Sequence, residues 1–253
     1  MGSPALLLLD IDGVIRDVGG SYRRALAETV HHYSGWRPDA SAIDALKAEG
    51  HWNNDWDASL ELLRRHGGAV PERGALVSRF SEFYFGGDEQ GDPSQWQGFI
   101  GDEPLLVAAG FFTELERVQL SWGFVSGAEP PSARYVLEQR LGLVDPPLIA
   151  MGDAPDKPDP SGLLQLARQL EGDQGPWPLA YLGDTVADVL TVLRAREQQP
   201  ERRLLALAVL PPHRQAEGLA GPYAQNLRAA GADLVLLQTT DLKPALLSRQ
   251  LHP

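Results

Sequence analysis

Leu6-Leu7-Leu8-Leu9-Asp10-Ile11-Asp12-Gly13-Val14 is an uninterrupted apolar run broken by two carboxylates and a glycine. A short run without polar alternation is how a strand buried on both faces of a parallel sheet reads. Open α/β sheets bind ligands in the crevice beyond the carboxyl ends of their strands. Asp10 and Asp12 therefore fall where a nucleophile and a divalent-cation site can both be built, although Asp and Gly also serve simply to end strands.

The chain downstream of this run has two textures. From about residue 20 to 100 the apolar spacing is helical, at 22–30, 42–48, 59–65 and 74–84, with a loop at 86–93. From about 104 onward, strand and helix alternate. Pro104 fits the first turn of a helix running to about Val118. Apolar runs at 120–125, 147–151, 179–182, 204–210 and 234–237 read as strands, with helical sequence at 131–141, 161–170 and 186–196 and after each of the last two strands. Such alternation implies right-handed βαβ units and a doubly wound parallel sheet with helices on both faces. The expected organisation is an α/β core from 1–18 and 101–253, with 19–100 inserted as a helical module far longer than an ordinary crossover.

The composition is that of a globular protein, with 43% hydrophobic and 22% charged residues among 253. A formal net charge of -12 excludes the basic footprint of a nucleic-acid binder. It also means that positive potential toward an anionic substrate must be concentrated locally, by a metal ion or a few placed Lys and Arg. Cysteine is absent, which excludes disulfides and thiolate metal sites and fits a reducing compartment. The apolar stretch from Ala5 to Leu9 is too short for a signal peptide or a membrane span, so a cytoplasmic protein without membrane partners is expected, as monomer or homodimer.

Chemistry-bearing side chains recur at other strand ends. Phe124-Val125 is followed by Ser126-Gly127, Lys157-Pro158 lies just before the 161–170 helix, and Leu182-Gly183 runs into Asp184-Thr185-Val186-Ala187-Asp188. Each has an ordinary alternative: Ser126 or Asp184 as a helix cap, Lys157 as a solvated charge, Asp188 as part of a polar helix face. Asp184 and Asp188 are one helical turn apart and face the same way. Together the strand ends deliver hydroxyl, ammonium and carboxylate groups to one edge of one sheet.

The order Asp-x-Asp, Ser, Lys-Pro, Gly-Asp-x-x-x-Asp resembles the haloacid dehalogenase (HAD) superfamily over the whole chain, in its type with a helical C1 cap between the first two motifs. The resemblance implies phosphoryl transfer to Asp10 as nucleophile, with Asp12 as general acid and base. It also implies Mg²⁺ held by Asp10, Asp184, Asp188 and the main-chain carbonyl of Asp12. Phosphate would be bound by Ser126, Gly127, Lys157 and main-chain amides after Asp12 and Ser126. The expected activity is hydrolysis of a small phosphate ester. The alternatives are a sugar phosphomutase and a non-catalytic phospho-ligand module. Tyr22 stands where mutases of the family carry a histidine, which counts against a mutase.

Gly50 to Trp56 lies between two helical patterns, where C1-capped relatives place a loop that reads the leaving group. Asn53, Asn54 and Asp55 are the candidate specificity residues, and Asn54 or Asp55 could equally cap the following helix. Trp36, Trp52, Trp56 and Trp96 lie in or beside this module and favour a sugar or polyol phosphate. No histidine pair has metal-ligand spacing, and His31-His32 reads as surface.

Overall fold

The computed structural model describes residues 4–47, 49, 52 and 54–252. Two compact units emerge, one formed by residues 1–17 and 105–253 and the other by 18–104.

The first unit is built on a six-stranded sheet in the order β3-β2-β1-β4-β5-β6, with every neighbouring pair parallel. The strands are β1 (Ala5–Leu9), β2 (Leu120–Val125), β3 (Leu148–Ile149), β4 (Leu179–Gly183), β5 (Leu204–Val209) and β6 (Leu234–Leu236). All five β1 residues are buried, because the strand is central and its two faces feed different cores. Ala5, Leu7 and Leu9 pack with Phe112, Phe124 and Val136, while Leu6 and Leu8 pack with Leu163, Leu166 and Val189. That two-sided burial is the physical reason the run carries no polar alternation. The helices over the sheet are α5 (Gly110–Arg117), α6 (Pro130–Arg134, continued by a π-helical turn over Tyr135–Arg140), α7 (Ser161–Glu171), α8 (Val186–Gln198), α9 (Pro222–Ala229) and α10 (Pro244–Leu251).

The second unit contains α1 (Tyr22–Ser34), α2 (Ala40–Lys47), α3 (Asp55–His66) and α4 (Arg73–Tyr84). Its core includes Leu26, Leu62, Leu63, Leu76 and Phe80, and Tyr22 stacks on Tyr84 at 4.3 Å between ring centroids. Glu103 is buried and accepts hydrogen bonds from Ser21 and Tyr84.

One expected element is displaced. The helix read from Pro104 begins at Gly110 instead. Tertiary hydrogen bonding outweighs the local helix signal: Leu105 pairs with Arg16 in an antiparallel bridge, and the Leu106 amide donates to the Ile15 carbonyl at 2.8 Å. Among the described residues no helix is long and apolar enough to cross a membrane.

Candidate active site

Register brings the strand ends together. Leu9 pairs with Phe124 of β2 and Leu182 of β4, and the Asp10 amide continues the ladder to the Leu182 carbonyl at 2.9 Å. Val125 pairs with Ile149, and the Ser126 amide reaches the Ile149 carbonyl at 2.9 Å. Asp10, Ser126 and Asp184 therefore leave neighbouring strands at one edge.

Lys157 is the hub. Its Nζ donates to Asp10 Oδ2 at 2.7 Å, Asp188 Oδ1 at 2.5 Å and Tyr181 Oη at 3.2 Å. An ammonium has three donors, so all three are satisfied here. Burial works against the charge on Lys157, but the Asp10 and Asp188 carboxylates overcome it and hold the amine well above its ordinary range. The alternative of a solvated lysine does not describe this side chain.

Asp188 is buried to 1% exposure. Its Oδ2 accepts from the Thr185 amide at 2.9 Å and the Thr185 hydroxyl at 2.6 Å, and its own amide donates back to the Thr185 Oγ1 at 3.3 Å. This reciprocal cap shows Thr185, not Asp184, opening α8. Burial raises the Asp188 carboxyl, but Lys157 and Thr185 outweigh it and leave it below its ordinary range. Gly183 permits the arrangement, since a Cβ there would lie 2.3 Å from the Asp188 Cβ.

Asp10 and Asp184 are shifted the other way. Burial, followed by the Asp188 and Asp12 carboxylates, pushes Asp10 up to about 6 against the lowering effect of Lys157. Loss of solvent, then Asp188 and Asp10, holds Asp184 well above the usual carboxylate range. Carboxylates crowded in this way favour a proton or a cation among them. Asp10, Asp184 and Asp188 can each offer one oxygen, and those oxygens lie within 4.8 Å of one another. A set of hard oxygen donors suits Mg²⁺ or Ca²⁺ rather than a softer metal.

The turn after β1 closes on itself. Gly13 has φ of +72° and lies so near Asp184 that a Cβ on it would fall 2.0 Å from Asp184 Oδ2. Asp12 pairs with Arg16, whose Nε donates to Asp12 Oδ1 at 2.6 Å. The amides after Asp12 do not point to an open anion site as expected. Gly13 donates to the Arg16 carbonyl at 2.9 Å, and Val14 and Ile15 donate to the Ile11 carbonyl at 3.3 and 2.7 Å. Closing the tight turn uses these donors. Ser126 Oγ accepts from the Ala128 amide at 3.2 Å, and Ser126, Gly127, Asp156 and Lys157 line one crevice.

Two neighbours were not legible in the sequence. Tyr181, buried within β4, donates from Oη to the Val125 carbonyl at 2.8 Å and lies 3.1 Å from Asp188 Oδ1. Burial raises its hydroxyl well above the ordinary range. Arg16 is the other. Neither has a local signal, since one reads as strand filler and the other as a surface charge; only the three-dimensional pairing shows them.

In the second unit, Asn54 is the N-cap of α3 and accepts from the amides of Trp56 and Asp57 at 2.9 and 3.1 Å. Asp55 pairs with Lys47 at 2.6 Å. Asn53 lies outside the described residues. Trp36 stacks on His66 at 4.6 Å, and Trp96 packs on Phe85 at the same distance between centroids.

A family model described as haloacid dehalogenase-like hydrolase matches residues 4–196. A curated relative, imidazoleglycerol-phosphate dehydratase of Phytophthora nicotianae, is 29% identical over 260 residues, covering 97% of this chain and 54% of that protein. The chain thus spans about half the length of that relative. Among solved structures, a phosphatase from Thermococcus thioreducens superposes with a TM-score of 0.61 at 21% identity, covering 79% of this chain and 92% of the other. A phosphonoacetaldehyde hydrolase-like protein from Oleispira antarctica gives 0.65 at 18% identity, with 99% and 94% covered. At such identities the two structures share the fold.

Proposed function

The chain belongs to the haloacid dehalogenase-like hydrolases, and on that premise we propose that it is a Mg²⁺-dependent phosphomonoesterase acting on a small soluble phosphate ester, sugar and polyol phosphates favoured. The observation that carries this reading is Lys157 Nζ bridging Asp10 and Asp188 at 2.7 and 2.5 Å beside a third carboxylate, Asp184. One buried ammonium among three acids leaves the cluster short of positive charge, a deficit that a divalent cation would fill and that would let the site accept an anionic phosphate. Asp10, Asp184 and Asp188, with the main-chain carbonyl of Asp12, would hold Mg²⁺, which supplies positive charge against the phosphate when bound.

In the first step an Asp10 oxygen bonds to phosphorus as the ester P–O bond breaks, and Asp12 gives the leaving alcohol its proton. In the second, Asp12 takes a proton from water as that oxygen bonds to phosphorus. The Asp10–phosphorus bond then breaks, and inorganic phosphate leaves. Lys157 steadies the phosphoryl charge, while Ser126 and Gly127 bind its oxygens.

The insertion 19–100 is the C1 cap in this reading, carried on a core of 1–18 and 101–253. Its loop at Asn53, Asn54 and Asp55 selects the leaving group, even though Asn54 and Asp55 also have the local duties of cap and ion pair. The Phytophthora relative's name specifies a phosphorylated glycerol bearing imidazole, which supports the polyol class and puts imidazole-bearing phosphates among those to assay. A cytoplasmic location fits such substrates. A mutase is the weaker reading, because Tyr22, stacked on Tyr84, stands where mutases of the family carry a proton-shuttling histidine.

Phosphate release from a panel of sugar, polyol and amino-alcohol phosphates, with and without Mg²⁺, tests the proposal. We expect Mg²⁺-dependent turnover that Asp10→Asn abolishes, and a changed substrate ranking in Asn53→Ala and Asp55→Ala. Parental activity in Asp10→Asn, or isomerised sugar phosphate without free phosphate, would refute it.

A further inference from the structure

Arg16 has 0% exposure and is the largest fully buried side chain described. Burying a guanidinium costs several kcal/mol unless it is paired and hydrogen-bonded. Its Nε is committed to Asp12 Oδ1 at 2.6 Å, whereas the Asp12 side chain keeps 30% of its surface open. The backbone of Arg16 is held from two directions. Its amide donates to the Ile11 carbonyl at 3.2 Å, its carbonyl accepts from Gly13 at 2.9 Å, and it bridges to Leu105 across the sheet-to-helix connection. An immobilised cation thus grips one oxygen of a carboxylate that is otherwise accessible.

We propose that Arg16 is the positioning residue for proton transfer, fixing Asp12 by Oδ1 so that Oδ2 carries the proton. This rests on the reading of Asp12 as acid and base. A proton on Oδ1 would weaken the charge-assisted Arg16 bond, so the pairing favours Oδ2 as the oxygen that carries it, and an Asp on a turn otherwise samples several rotamers. In the leaving-group step the Oδ2–H bond breaks as the proton passes to the departing oxygen, which keeps the electron pair of the broken P–O bond. In the hydrolytic step Oδ2 accepts a proton from the attacking water. Lysine would keep the charge but not the side-mounted Nε–H that meets Oδ1.

The test measures kcat/KM, which ends at departure of the alcohol, for an alkyl phosphate and for dinitrophenyl phosphate, whose leaving group needs no proton. For the alkyl ester we expect Arg16→Met to lower kcat/KM by about tenfold or more and Arg16→Lys by less, with both within about threefold of the parent on the activated ester. In an Asp12→Ala background, Arg16→Met should add no further loss on the alkyl ester, because it acts through the missing carboxylate. Equal losses on both esters, or losses that add in the double variant, would overturn the inference while leaving the phosphatase reading intact. If Arg16→Met does not fold, Arg16→Lys carries the same comparison. A parent inactive on both esters would overturn the inference together with the function it rests on.

Discussion

The carboxylates around Lys157 have opposite electrostatic fates, and that division makes the site responsive to pH. Asp188 sits below its ordinary range through Lys157 and Thr185, whereas burial lifts Asp10 to about 6 and Asp184 well above the usual range. Asp10 thus holds its proton more tightly folded than unfolded, so the metal-free protein loses stability as pH rises through the window from 3.8 to about 6. Cation binding must displace that proton and strengthens over the same window. Calorimetric titration should therefore show Mg²⁺ binding markedly more weakly at pH 5 than at pH 7.5, with a larger Mg²⁺-induced rise in Tm at the higher pH. Equal affinity at both would contradict the assignment of Asp10 and Asp184 as its ligands. Asp10 and Lys157 were legible in the sequence because a charge at the end of an apolar run, or just before a helix, is conspicuous, and Asp188 because it follows Asp184 by one helical turn. Tyr181 and Arg16 were not, since their partners lie on other strands or across a turn.

Elements were legible where burial is one- or two-sided and regular. The β1 run reads correctly because Ala5–Leu9 is buried on both faces, and α3 because Asn54 caps it and Gly67 ends it in the left-handed region. The segment after Pro104 misleads, since its hydrogen bonds go to Ile15 and Arg16 rather than along a helix. The turn after β1 is the most constrained of the site's connections. Gly13→Ala would place a side chain at φ +72° and 2.0 Å from Asp184 Oδ2. Backbone strain alone costs about 1–3 kcal/mol, and Asp184 must also move. We expect a lowered denaturation midpoint and a loss of Mg²⁺ affinity larger than a surface substitution produces. Unchanged affinity in a folded Gly13→Ala variant would show that the turn does not hold Asp184 in place.

At the scale of the whole molecule, one parallel sheet gathers a nucleophile candidate, an ammonium and two further carboxylates from segments far apart in sequence, which is why no single motif decides the function. The order of the four motifs made the family readable. The substrate was not readable, because in the proposed mechanism the core groups would address only the phosphoryl portion common to every phosphate ester, and the residues proposed to read the remainder lie in the other unit. The Phytophthora relative, with about half its length beyond this match, leaves the same question to experiment. The central claim is that Asp10 takes the phosphoryl group itself. Rapid mixing with a ³²P-labelled substrate in Mg²⁺, quenched in acid before the first turnover ends, measures this directly. The account predicts a burst of label on the protein that maps to the peptide containing Asp10 and is absent from Asp10→Asn. Release of labelled phosphate at the parental rate with no label ever on the protein would contradict it.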